Sequence, residues 1–273
     1  MHTLTDGRFT LGLGRGAPIQ QDAFGIPRIT TAQLEDIVAI LRRLWKGQTI
    51  IGHDGPAGRF PVLRQHPRFD FDIPLGLVAF GPNSLALGGR LFDDVILHTY
   101  FTDETLVRCV AEVKAAAEQA GRDPATVRVW SCYATVEDGI AEPLRLKKTV
   151  GRLATYLQGY GDLLVRTNRW DGDVLARFLA NPLVRSFRGP IDGLADNDQL
   201  EQISELLPAE WLEPAATGSA KQCAARVRRQ LELGADGVIM HGATPSELRP
   251  VVKEYEGLPA LAGAVGSGKG RHS

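Results

Sequence analysis

The chain has 273 residues, 44% of them hydrophobic, enough for one large domain or two small ones with a sizeable core. Thirty-one basic residues against thirty-two acidic ones leave a formal charge of -1, and with no dense basic stripe to release counterions, nucleic acid is not the expected partner. Cys109, Cys132 and Cys223 lack metal-type spacing and are odd in number, which argues against a zinc site and a disulfide framework, and no apolar run approaches the roughly 20 residues that span a bilayer.

The first predicted strand is "FTLGLG" (9–14). Next comes a helix with Leu34, Ile37, Val38, Leu41, Leu44 and Trp45 on one face, Thr30 and Gln33 as a capping box, and Gly47 as terminator. Residues 48–73, rich in Gly, Pro and Arg, read as a long loop, of a length that is usually functional or covering. Further strands are predicted at 74–80, 93–97, 126–136 and 236–240, with helices over about 105–120 and from Ser219 to Gly234, Ser219 and Gln222 forming a capping box. Strands alternating with helices point to a parallel α/β sheet. Residues 140–212 are mostly helical, with no convincing strand, and read as an inserted helical subdomain, whereas 263–273 form a Gly-rich basic tail expected to be mobile. The N-terminus lacks a signal-peptide apolar segment, so a cytoplasmic location is expected.

The glycines of "LGLGRG" (11–16) raise the question of a dinucleotide fingerprint. That motif is G-x-G-x-x-G opening directly into a helix. Here the spacing is G-x-G-x-G, two prolines follow, and the helix starts only near Thr31, too far to point its N-terminus at a phosphate. The other structural reading is a strand kept thin so that a bulky neighbour can pack on its backbone. A better anion site lies in "LVAFGPNSLALGGRLFDDVILH" (77–98), where a strand runs into Gly81 and Pro82 stands at the first helical turn. Free N–H groups around Gly81, Asn83 and Ser84 would converge there on an anion.

Taken in order, "GRFTLGLGRG", "LEDIVAILRRLWKG", "IPLGLVAFGPNSLALGGRLFDDVIL", "AGRDPATVRV" and "GSAKQCAARVRRQLELGADGVIMHG" resemble the luciferase-like monooxygenase superfamily, above all its coenzyme F420-dependent oxidoreductases. The resemblance implies a (β/α)8 TIM-barrel fold with a helical insertion, of which strands four to eight are present in a single domain over 1–262. It implies that three strand–helix units are lacking, so that the chain is expected to be truncated at its N-terminus or completed by strands from elsewhere. It places Gly14, Arg15, Ala17 and Gln20 beside the cofactor ring and substrate, with Gly14 and Gln20 binding cofactor and Arg15 touching substrate. Ala17 matches a catalytic glutamate of sugar-phosphate dehydrogenases and cannot transfer a proton, which puts that activity in doubt. Phe80, Gly81, Asn83 and Ser84 match the turn that holds the cofactor phosphate.

His98, at the C-terminal end of a strand, matches a substrate-contacting position, and a histidine there could bind an anion or move a proton. The alternative is a partly buried ring bonded to backbone. His241 shares the position on the last strand and the same ambiguity. His53 and His66 lie in the long loop and read as solvated or as capping the pocket, the four tryptophans read as packing, and "RLKK" (145–148) as a solvated helix face. The expected activity is hydride transfer between F420 and a small organic substrate, without a metal. The alternatives are an FMN-dependent monooxygenase using reduced flavin and oxygen, or a non-catalytic cofactor-binding protein or inactive fragment. A homodimer and a flavin or F420 reductase as electron donor are the partners the resemblance allows.

Overall fold

The computed structural model describes residues 1–16, 21, 22, 24–66 and 68–260. Strand β1 (Leu11–Leu13) is followed by helix α1 (Thr31–Trp45) and an antiparallel hairpin, β2 (Ile50–Gly55) and β3 (Gly58–Leu63). Then β4 (Leu75–Val78), α2 (Pro82–Leu91), β5 (Asp94–Ile96), α3 (Asp103–Gln119) and β6 (Arg128–Glu137) alternate. Between β6 and β7 (Ala216–Gly218) there are only helices, the longest being α5 (Arg152–Asn168), preceded by α4 (Glu142–Leu146) and a π-helical turn over Lys147–Gly151. The chain ends in α11 (Ala220–Glu232), β8 (Gly237–His241) and α12 (Pro245–Glu256), with α6 (Gly172–Ala180), α7 (Pro182–Ser186), α8 (Ile191–Leu194), α9 (Asn197–Ser204) and α10 (Ala209–Leu212) completing the helical stretch.

In the main sheet β1, β4, β5 and β6 lie side by side in chain order and all pair in parallel. β6 then carries β8 along Trp130–Ala134 and β7 along Thr135–Glu137. Neighbours in chain order, with no reversal of direction in the order, are the pattern of a barrel wall and not of a doubly wound nucleotide-binding sheet. Period-two alternation gives each strand two faces. Leu75 and Leu77 of β4 pack with Leu34, Val38 and Trp45 of α1, while Val95, Val129 and Leu97 join the core under α3. The other face carries Gly76, Val78, Ile96, His98, Trp130, Cys132, Ile239 and His241, and there Val78 and Ile239 are 52% and 40% exposed. The largest core cluster unites sheet residues with Leu153, Leu157, Phe178 and Trp211 of the helical stretch.

Thr30 and Ser219 cap α1 and α11 with complete capping boxes, and Pro82 occupies the first turn of α2, all as expected. The loop expected over 48–73 is corrected: its residues 50–63 make the β2–β3 hairpin, twelve of them in the two strands. Pro61 hid the alternation, and it falls opposite Gly52 at a break in the pairing, a place where a proline is tolerated. His53 is not a loop residue either, since its Nε2 lies 2.9 Å from Asp36 Oδ2 and fastens the hairpin to α1. The three-residue β7 is too short to show a period in the sequence. The tail 263–273 lies outside the described residues.

Candidate active site at the strand ends

His98 follows β5, and its ring is enclosed by Phe80, Tyr156, Tyr160 and Phe101, with centroids 4.5, 4.8, 5.3 and 6.2 Å away. Nδ1 is 2.8 Å from the Thr99 carbonyl and Nε2 is 2.9 Å from the Tyr160 hydroxyl. A carbonyl only accepts, so the neutral ring carries its proton on Nδ1, and Tyr160 donates to Nε2. Burial holds the His98 pKa down at about 4, opposed by the Thr99 bond and aided by the nearby His241. His98 is therefore neutral at physiological pH and offers no positive charge to an anion. The ring is partly buried and bonded to backbone, as the alternative reading of this histidine has it.

His241 ends β8, opposite Ala134 of β6. Its pKa is also lowered, by burial and by the charge of Arg152, and among the described residues its Nδ1 has no hydrogen-bond partner. Arg152 lies over the Tyr156 ring at 5.9 Å and pairs with Asp192 at 2.9 Å. Arg152, Tyr156 and Tyr160 recur every four residues and thus share one face of α5. The spacing was readable in "RLATYLQGYG", yet periodicity alone could not show that this face meets His98. The helix bends at Tyr160 (φ -158°, ψ 37°) between two glycines, and Gly161 packs where a Cβ would meet Leu175 at 2.6 Å.

Two further ties hold the helical stretch to the strand ends. Tyr100 adopts a left-handed backbone (φ 60°), with its hydroxyl on the Thr149 carbonyl at 3.0 Å and its own carbonyl accepting from Asn168 Nδ2 at 2.7 Å. Lys148 donates to the Gly242 carbonyl at 2.7 Å and to Glu247 at 3.1 Å. The basic run at 145–148 is thus not a solvated face: Arg145 bonds Asp138, and Lys148 joins the π-helical turn to the end of β8.

At the Gly81 turn, Gly81 is the N-cap of α2 with no side-chain cap. Among the described residues the N–H groups of Gly81 and Asn83 have no bond, whereas the Ser84 N–H, expected to be free, donates to the Gly81 carbonyl at 3.0 Å. Phe80 packs edge-on against His98 and Phe101. Gly12 and Gly14 are exposed; among the described residues a Cβ at Gly12 would meet nothing within 4 Å, and one at Gly14 would meet only Val78, at 3.9 Å. Arg15 is braced on α1, donating to Thr31 Oγ1 at 2.7 Å and to the Ile29 carbonyl at 3.4 Å, and no bond joins it to His98. Ala17 and Gln20 lie outside the described residues. Among those described, no group of His, Cys, Asp and Glu is placed to hold a metal, and no helix is long and apolar enough to cross a membrane.

A parallel sheet ordered along the chain, with side chains gathered at its C-terminal ends under inserted helices, defines the TIM-barrel class of α/β fold. The description of luciferase-like monooxygenases matches residues 1–237, and the chain belongs to that family. Its members are oxidoreductases and monooxygenases. The coenzyme F420-dependent tetrahydromethanopterin reductase from Methanopyrus kandleri superposes with a TM-score of 0.69 at 16% identity, over 93% of this chain and 74% of its own. A 5,10-methylenetetrahydromethanopterin reductase from Methanolobus tindarius is 24% identical over 88% of this chain and 69% of its own length. An F420-dependent hydroxymycolic acid dehydrogenase from Mycobacterium tuberculosis is 32% identical over 45% of this chain, a match that spans 35% of that relative.

Proposed function

We propose that this chain binds coenzyme F420 at the C-terminal ends of its parallel strands and serves hydride transfer to or from a small organic substrate. The observation that carries the reading is the pair of unbonded N–H groups of Gly81 and Asn83 at the uncapped start of α2, an arrangement that suits a phosphate. F420-dependent relatives support the choice of cofactor. In this reading Gly81 and Asn83 hold the phosphate by backbone, and the Ser84 hydroxyl and the Phe80 ring border it. The bare backbone at Gly12 and Gly14 gives a flat ring room to lie close.

When bound, the deazaflavin supplies or accepts the hydride, and the protein orients the reactants and manages protons. His98 holds the Tyr160 hydroxyl, whose oxygen is left to accept from a substrate hydroxyl. His241, with Nδ1 unpartnered among the described residues, holds or moves a proton. Arg15 remains a candidate for substrate contact only if it leaves Thr31.

The test is a titration of the purified protein with F420 and with FMN, read by fluorescence. Saturable F420 binding that is lost when Gly81 is replaced by a bulkier residue supports the proposal. Tight FMN binding without F420 binding overturns it in favour of a flavin monooxygenase.

A further inference from the structure

A cleft of about 530 Å³ opens on the side of the sheet away from His98, between the first turn of α3, the end of α10 and α11. Period-two alternation turns Tyr133 of β6 to that side, whereas Cys132 shares the face of His98. Tyr133 packs among Ala216, Cys223, Ala224 and Val227 and is only 5% exposed, yet it lines the cleft. Its hydroxyl proton has no acceptor among the described residues. Beside it stands Arg226, which can only donate and is fixed by two bonds of 2.9 Å from one nitrogen to the carbonyls of Glu213 and Ala215. Burial holds the Tyr133 pKa above the usual phenol value despite the Arg226 charge, so the proton stays on the oxygen. A buried phenol and an anchored guanidinium therefore offer donors to one space, and an acceptor entering it satisfies both.

The mouth has the opposite character. Glu104, Glu210 and Glu213 line it, all exposed, and none is paired with a cation among the described residues, while Asp103 is spent on Arg229. Three carboxylates around one space repel each other, and a cation among them relieves this. Trp170, stacked on Trp211 at 4.7 Å, supplies an apolar wall.

We propose that this cleft binds a small zwitterion with one carboxylate and more than one ammonium group, the class of the basic amino acids. The carboxylate accepts from the Tyr133 hydroxyl and Arg226, the ammonium groups meet the glutamates at the mouth, and the alkyl chain runs along Trp170. The site lies apart from the strand ends, and its test needs no cofactor.

Isothermal titration calorimetry of the full chain compares L-lysine with norleucine, which lacks the second ammonium group, and with cadaverine, which lacks the carboxylate. Wild type is expected to bind lysine roughly tenfold tighter than either. Tyr133→Phe should weaken lysine about tenfold and leave cadaverine unchanged, because only the partner of the carboxylate is lost. The E210Q/E213Q double variant should bring lysine close to parity with norleucine. Both glutamates are exposed, so this variant keeps the fold and decides the matter even where Tyr133→Phe fails to fold. The site is overturned by equal binding of lysine and cadaverine to wild type, by lysine binding unaltered in either folded variant, or by no lysine binding at millimolar concentration.

Discussion

At the scale of single residues, His98 shows how position and environment divide the work of setting a side chain's chemistry. Its place at a strand end is a property of the chain, but its neutrality comes from burial among four aromatic rings, which outweighs the opposing bond to Thr99. An unfolded histidine titrates near 6.5, and His98 in the fold only at about 4. Between those values the unfolded chain holds the extra proton, so stability falls as pH drops from 6.5 toward 4, by at most about 1.4 kcal/mol per pH unit. Urea midpoints measured across that window for wild type and His98→Gln test this, and the variant should show the shallower slope. Tyr160→Phe removes the one donor to His98 Nε2 and is expected to cost about 1–2 kcal/mol, with a fall in turnover if the pair positions substrate. Denaturant titration and steady-state kinetics separate the two effects.

The elements are held in place by close contacts that a helical wheel does not reveal. Gly89 lies in the interior of α2, where alanine would ordinarily gain up to about 1 kcal/mol in helix propensity. A Cβ there would collide with the Val113 carbonyl and lie 2.9 Å from Ala116 Cβ on α3, so the clash outweighs propensity. Gly89→Ala should destabilise by about 1–3 kcal/mol, seen as a lower melting temperature. Asn168 ties α5 to the segment after β5 through bonds to the Tyr100 carbonyl and the Thr102 N–H. Asn168→Ala leaves both buried groups unpaired and should cost about 2–4 kcal/mol by chemical denaturation. The bend at Tyr160 was not legible as a bend, because glycines at 159 and 161 permit one without requiring it.

For the whole molecule, one core cluster joins the sheet to the helical stretch, with Val95 and Val129 packed in the same body as Leu157, Phe178 and Trp211. The two parts should therefore unfold together. In a Trp45→Phe/Trp130→Phe background, Trp170 and Trp211, stacked at 4.7 Å, report on the helical stretch by fluorescence, while far-ultraviolet circular dichroism reports on all elements. Coincident denaturation curves are expected, and an earlier fluorescence transition would show that the helices open on their own.

Local signals in the amino-acid order determined the elements that depend on neighbours in sequence: the capping boxes at Thr30 and Ser219, proline at the start of α2, the strand apolar runs, and the turn at Gly81. They determined the family as well, since its motifs keep their order along the chain. The hairpin within 50–63, the pairing of β6 with both β7 and β8, and the meeting of Tyr156 and Tyr160 with His98 were decided only by tertiary structure. Each joins groups far apart in sequence, or hides its period behind proline and glycine. The charge state of His98 depends on desolvation by those distant rings, which no local pattern encodes.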